Sequence, residues 1–574
     1  MLQKIVPLVP PSVFLVPQKS PTRNLLNKIP KTVTKTLTEI FCPNKMSSKS
    51  ASLIFFFVAL IYFVVWTIIP FIFEPNFRYD TIEMFLIGKE GVIATFKHPA
   101  LNSIILELVY QLFNRSSIAP YLLNQIFFFL TALAIWRVGR EFFTPFEALA
   151  GALMFYCYWA YFYSSLNFNH NIMQTTAWSF VILYALLAIK FDRYQDWIGL
   201  GVAIGIGVHC KITIIFLVFA ILFFTFLNSS TRKYWLRGGV YLAIFIALTI
   251  ASPIIYWIFI SDFSFLKFPL SDSLTPTLTN RFFVLFDAII TIPLLCLSFV
   301  VLSLPLTGIK IKLKEKIASE SAPASASESE IASKSVFAID RNFARNFLLS
   351  TALISWILMA FSCFVSAANR DLYDFTQNFI FTGLILIGFF QITLNRQTIR
   401  NFFIFFAITM AGYVFGYFLH IYAAYHFRNE TWYLFPGKQL AEKVENIWHS
   451  RYQKPLQYIT GDWLFAGNVA IYSKDRPTCH CTYVDFPLST WSTDQDFMNA
   501  GGIAIWDIED DSSMRKEIQQ QFQSVEIIEQ INLQTLTING KKQYQFIIAI
   551  IPPDNSIKPK SIKPAPLRLW TIKR

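Results

Sequence analysis

Apolar stretches about as long as a bilayer crossing recur through the first three quarters of the chain, separated by short polar joints. A hydrocarbon layer about 30 Å thick takes about 20 apolar residues per helix. By that measure the pattern predicts spans at about 52–73, 119–140, 146–165, 171–190, 197–209, 212–228, 236–260, 282–308, 347–366, 375–394 and 401–422, eleven in all. The run from Ile198 to Phe226 is too long for one crossing and is divided at His209, Cys210 and Lys211. As a single span it would hold Lys211 at mid-bilayer, at a cost of about 3 kcal/mol. Between the first two spans lies a polar loop, 74–118, whose apolar positions suit short helices lying on a membrane face. From 426 onward the composition becomes that of a soluble domain. A helix is predicted at Gln439–Arg451 and strands at 456–461 and Gly502–Asp507. Asn539-Gly540 would join the alternating runs LQTLTI and QYQFIIAII. The expected architecture is an α-helical polytopic membrane protein (51–425) with a C-terminal extracytoplasmic α/β domain (426–574).

Composition agrees. Of 574 residues 54% are hydrophobic, 15% are charged and 60 are phenylalanine, against about 25% charged in soluble domains. The mean hydropathy is +0.45, which excludes a soluble globular chain. The net charge of +13 would suit nucleic acid, but the excess lies in the N-terminal tail and in short joints between spans, where it records topology instead. Residues 1–50 carry eight lysines and arginines against Glu39 alone and read as a disordered cytoplasmic tail. The first span lacks a cleavage site and should stay as an anchor. With the N-terminus inside, the basic joints at Arg137/Arg140, Lys190/Arg193, Arg232/Lys233/Arg237, Lys310–Lys316 and Arg396/Arg400 all fall inside, and the loop 74–118 and the soluble domain fall outside. A low-complexity stretch, Ala318–Ser335, makes 309–346 a flexible cytoplasmic linker. The seven cysteines fit neither a disulfide framework nor a zinc pattern, and Cys479-His480-Cys481 offers no fourth ligand at useful spacing. No metal or other cofactor is expected.

The densest ionisable group on the outer side is Arg78, Asp80, Glu83, Lys89, Glu90, Lys97 and His98. An interfacial loop is polar for ordinary reasons, so density alone assigns nothing. Order says more. RYDTIEMFLIGKEGVIATFKHPALNSIIL resembles the first outer loop of polyprenyl-phosphate-dependent GT-C glycosyltransferases, the group that includes aminoarabinose transferases and protein O-mannosyltransferases of glycosyltransferase family 39. The counterparts of their motif are Asp80, Glu83, Gly88, Lys97, His98 and Pro99. Thr81 stands where many relatives have a second acid, and Ala100 replaces a second proline. SLNFNHN at 165–171 is similar to an asparagine-rich outer junction of the family, GLGVAIGIGVHCKIT to its glycine-rich helix ending in lysine, and PLQYITGDWLFAGNVAIYSKDRP to its outer domain.

The resemblance implies a bacterial inner-membrane enzyme that transfers a hexose or pentose from a polyprenyl-phosphate donor to a lipid, glycan or protein acceptor on the periplasmic side. Such a donor keeps its phosphate at headgroup level while its tail stays in hydrocarbon. A carboxylate there can take the acceptor's proton, and fixed cations stabilise the departing phosphate. Asp80 is the expected base, with Glu83 beside it. Lys97, His98, Lys211 and Arg370 are expected around the donor phosphate, and Asn169 and His170 around the sugar or acceptor. Each has an alternative reading. Lys97 could be a snorkelling lysine, His98 and His170 structural histidines, Arg370 a loop-end anchor, and the asparagines helix caps. A competing function, a lipid-linked-glycan flippase or secondary transporter, would place ionisable groups along a midplane path. A sensor anchored by its helices leaves too many spans unused.

Overall fold

The computed structural model describes residues 46–164, 166–263, 277–303, 340–366, 372–389, 396–427, 431–483, 486–487, 491–522, 525–534 and 543–554. The chain begins there with α1 (Ser48–Phe73), capped by the Ser47 hydroxyl accepting from the Ser50 N–H. The helix thus starts four residues before the first apolar run. The tail and linker expectations fall almost wholly outside the described residues.

After α1 come α2 (Tyr79–Glu90), α3 (Leu101–Leu112), α4 (Ala119–Phe142), α5 (Pro145–Tyr156), α6 (Trp159–Ser164), α7 (His170–Phe191), α8 (Tyr194–Cys210), α9 (Ile214–Leu227), α10 (Gly238–Ile260), α11 (Leu278–Ser303), α12 (Arg341–Ser366), α13 (Thr382–Phe389) and α14 (Arg396–His426). Among the described residues, six helices (α1, α4, α7, α10, α12 and α14) are long and apolar enough to cross a membrane, or seven if α9 and its continuation Ser229–Leu236, bent by 99°, count as one. This is a multi-pass membrane protein.

All eleven expected spans meet helices, but two are broken. The segment read as 146–165 stops at Tyr156 and resumes at Trp159. At the break the Cys157 carbonyl leaves the helical ladder and accepts from the Tyr413 hydroxyl. The segment read as 375–394 is a 3-10 turn, Leu372–Phe379, followed by the eight-residue α13. Its polar side chains bond to their own backbone: Gln377 donates to the Asp374 carbonyl, Asn378 to Phe375 and Thr382 to Phe379. Such bonds compete with a continuous helix. The division at His209–Lys211 holds, since α8 ends at Cys210 and α9 begins at Ile214.

The C-terminal part contains α15 (Gly437–Arg451), β1 (Tyr458–Gly461), α16 (Trp463–Tyr472), β2 (Thr478–Cys479), β3 (Thr482–Tyr483), β4 (Phe486–Pro487), α17 (Asp494–Ala500), β5 (Gly502–Asp507), α18 (Asp511–Gln521), β6 (Glu526–Gln534) and β7 (Gln543–Ile551). Five strands form one sheet in the order β2-β1-β5-β7-β6. The first three are parallel, and β7 runs antiparallel to both its neighbours. The strand β6 begins seven residues before the LQTLTI run, and Asn539-Gly540 lies outside the described residues. Cys479 and Cys481 are disulfide-bonded, a pairing that the reading of the cysteines as fitting no disulfide framework did not include.

The loop 74–118 departs most from its expected form. Ten of the twelve residues of α2 are buried, on every face, so this helix does not lie on a membrane surface. It is wedged against α3 and α16. One hydrophobic core joins Ile82, Phe85 and Leu86 of α2, Leu123 of α4, Met173 of α7, Leu464 and Ala466 of α16, and Ile548 of β7. Only α3 keeps an amphipathic character, with Leu108 and Leu112 exposed and Leu106 and Tyr110 buried. The two helices nearly touch at Gly88, where a Cβ would stand 2.1 Å from the Ser103 carbonyl oxygen. A side chain at 88 would force α2 and α3 apart.

Candidate functional site

Gly91, in the left-handed region at φ 65°, ends α2, and the chain then doubles back in a tight hairpin before α3. Ala94 and Pro99 form an antiparallel bridge, and the Ala100 N–H donates to the Ile93 carbonyl. At the tip the Thr95 hydroxyl oxygen accepts from the N–H groups of both Lys97 and His98. The closed hairpin therefore sets which way Lys97 and His98 are presented.

From this tip Lys97 reaches back to α2. Its Nζ lies 3.1 and 2.9 Å from the two carboxylate oxygens of Glu83, whose side chain is 3% exposed. The His98 ring sits 3.7 Å, centroid to centroid, from that of His170 at the start of α7. The hairpin thus touches the segment 167–171.

That segment organises the rest. Asn169 caps α7 by accepting from the Asn171 N–H, and its amide Nδ2 donates to Asp80 Oδ2 at 2.9 Å. Asn167 Nδ2 donates to the same oxygen at 2.9 Å. Asn169 therefore caps α7 with its side-chain oxygen and holds Asp80 with its amide nitrogen. The Thr81 hydroxyl donates toward Asn167 Oδ1 and the Phe168 carbonyl, so the residue that departs from the acid pair ties α2 to the asparagine segment. Two residues on, Asn171 Oδ1 accepts from Lys211 Nζ at 2.7 Å, and Lys211 also donates to Asp374 Oδ1 at 2.6 Å.

The structure brings Asp80, Glu83, Lys97, His98, Asn169, His170 and Lys211 together around the start of α7. Arg370 lies outside the described residues. Asp374 was missed, since its sequence position borders a segment read as a plain span, and only the run of Asn, Gln and Thr after it hinted at a broken one. Two of the missed contacts fix the soluble part over the site. Arg476 donates to both oxygens of Glu107 on α3, at 2.6 and 3.0 Å, and the Thr478 hydroxyl donates to Glu90 at 2.8 Å. A third buried pair, Arg78 with Glu74, stands at the end of α1, where the hydroxyls of Tyr121 and Tyr417 also donate to Glu74.

Outside this cluster, two groups bear on metal binding. The sulfurs of Cys479 and Cys481 are consumed by their disulfide, while His480 bonds Ser492 and Asp494; that bond holds the Asp494 carboxyl below its usual range. Glu445, His449 and Asp475 have ligand atoms within 4.8 Å of one another. Their oxygens already accept from the Ser473 hydroxyl and from the N–H groups of Lys474 and Leu456, an arrangement that closes a loop.

Residues 97–257 match the family described as dolichyl-phosphate-mannose-protein mannosyltransferase. The structure resembles ArnT from Cupriavidus metallidurans bound to undecaprenyl phosphate, with a TM-score of 0.56 and 12% identity, covering 89% of this chain and 100% of that one. The chain has the fold of the GT-C glycosyltransferases. The same ArnT in the apo state aligns with a TM-score of 0.55 and 12% identity, over 87% of this chain and 98% of that one. No curated protein matches the sequence. The matched family segment begins at Lys97 and includes the asparagine segment and Lys211, while Asp80, Glu83 and Asp374 lie outside it.

Proposed function

We propose that this protein is a glycosyltransferase of the bacterial inner membrane, moving one sugar from a polyprenyl-phosphate donor to an acceptor hydroxyl on the periplasmic side. The observation that carries the reading is the meeting of Asp80 with Lys97 and Lys211 around one short segment at the start of α7. Two amides hold Asp80 Oδ2, and Asp80 Oδ1 has no side-chain partner among the described residues. That oxygen is the base: it takes the acceptor's proton as the acceptor oxygen bonds the anomeric carbon and the carbon–oxygen bond to phosphate breaks. The bonding electrons leave with the lipid phosphate, whose added charge Lys97 and Lys211 stabilise in a site sheltered by the soluble part. His98 and His170 border the phosphate and sugar positions.

Two features support the sidedness. The Cys479–Cys481 disulfide suits an oxidising compartment, and the far ends of the same helices carry Arg137, Arg140, Lys190, Arg193 and Arg237. The flippase reading wants charge along a midplane path. Among the described residues the membrane-helix ion pairs stand at helix ends instead. The test is mass spectrometry of products formed by the purified protein in vesicles without a gradient, offered a panel of polyprenyl-phosphate sugars and lipid, glycan and peptide acceptors. A new glycosidic bond is expected. Movement of intact donor across the bilayer with no bond formed would replace this reading by the flippase.

A further inference from the structure

Among the described residues, one group away from the clustered site brings three potential metal ligands together: the ligand atoms of Glu445, His449 and Asp475 all lie within 4.8 Å of one another. Glu445 and His449 stand four residues apart on α15, so the helix presents both on one face. The neighbouring face, with Val444 and Trp448, is buried and fixes the rotation of the helix. Asp475 comes from the loop that follows α16. Both carboxylates are held by the surrounding chain. Glu445 Oε2 accepts from the Ser473 hydroxyl at 3.0 Å and the Lys474 N–H at 2.9 Å, and Asp475 Oδ2 accepts from the Leu456 N–H at 2.7 Å. Donors of this kind orient ligating carboxylates, and each carboxylate keeps further lone pairs for an ion. His449 Nε2 lies 2.8 Å from Asp475 Oδ2, and its side chain is 38% exposed, so an ion can enter. Ligand atoms around a tetrahedral zinc ion stand about 3.4 Å apart, so shifts of about an ångström would seat one. An imidazole beside two carboxylates suits zinc better than magnesium or calcium.

We propose that Glu445, His449 and Asp475 form a site for a zinc-class divalent cation that clips α15 to the loop 473–478. That loop carries the grip of the soluble part on the membrane part: Arg476 bonds Glu107 on α3, and Thr478 bonds Glu90 on α2. His449 binds through unprotonated Nε2, and a water completes the shell of three protein ligands. Fixing Asp475 holds its neighbour Arg476 against α3, so the ion steadies the docking of the two parts. The inference does not depend on the transfer reaction.

The experiment takes the full chain in detergent, freed of metal with a chelator, and titrates it with zinc chloride by calorimetry while following melting temperature and hydrogen exchange. Wild type should bind one equivalent, melt at a higher temperature, and exchange more slowly in 473–478 and in Leu101–Leu112, with β5 hardly changed. Magnesium chloride at the same concentration should do none of this. His449→Gln should lower zinc affinity at least about tenfold and lose the melting and exchange responses, while melting near wild type without metal. Glu445→Gln should weaken zinc binding in the same way, and carries the test if His449→Gln does not fold. Full zinc affinity in these variants puts the ion elsewhere and overturns the site, as does an equal response to magnesium or the absence of binding by wild type. Zinc binding with unchanged exchange in 473–478 and Leu101–Leu112 overturns the clip.

Discussion

The two ends of α7 stand about 30 Å apart and carry the same kinds of charge in opposite surroundings. At the His170 end, Lys97–Glu83, Lys211–Asp374 and Arg476–Glu107 are pairs in which neither side chain is more than 18% exposed. At the Lys190 end, Arg137 pairs with Glu141, Arg193 with Asp196 and Arg237 with Asp192, and each arginine is about half exposed. Exposed pairs are worth at most about 1 kcal/mol and hold helix ends in a polar layer. Buried pairs hardly recover the cost of removing two charges from water, and breaking one is expensive. A chain selected only for stability would not build several of them at one end. Their concentration there agrees with the proposed site lying at that end.

Substitutions can break this comparison. The largest effect is expected for Asp80→Asn, which keeps the shape and loses the base: sugar transfer should fall at least about 100-fold, with the melting temperature near wild type. Transfer at the wild-type rate would remove Asp80 from the chemistry. Next comes Lys97→Met, which strands Glu83 in a buried place and should cost about 3 kcal/mol in stability while raising donor KM. Adding Glu83→Gln should restore most of the stability and none of the donor binding; recovery of both would reduce the pair to packing. Arg476→Ala should act on docking, loosening the contact with α3, so that hydrogen exchange rises in Leu101–Leu112 and in the 473–478 loop more than in β5. At the other end, Arg137→Ala should change stability by less than about 1 kcal/mol and leave transfer unchanged. A large loss of activity there would mean that the two ends are coupled.

The sequence made the spans and most of the site legible, because bilayer thickness and charge sidedness are one-dimensional constraints. Asp80 and Lys97 could be singled out because their loop resembles the first outer loop of the GT-C glycosyltransferases, and Lys211 because it interrupts an apolar run too long for one crossing. The pairing could not be read. That Glu83 holds Lys97 depends on a hairpin closed by the Thr95 hydroxyl, and that Asp374 meets Lys211 depends on contact between residues 163 positions apart. The broken span at 372–389 escaped for a related reason: its polar side chains satisfy their own backbone, while its mean hydropathy still looks like a crossing. The helix α2 was misplaced because its mixed apolar and charged sequence suits an interfacial helix, and the α16 cover that buries it lies more than 350 residues downstream.

That distant cover sets a schedule. Phe546 of β7 packs its ring against Phe465 of α16 at 4.7 Å and against Phe435 at 6.1 Å, and α16 in turn roofs α2. The helices are threaded into the bilayer as synthesis proceeds, yet α2, which carries Asp80, lacks this support until β7 has emerged from the ribosome. A half-made chain already in the bilayer therefore holds α2 without its cover, and the proposed site is completed last.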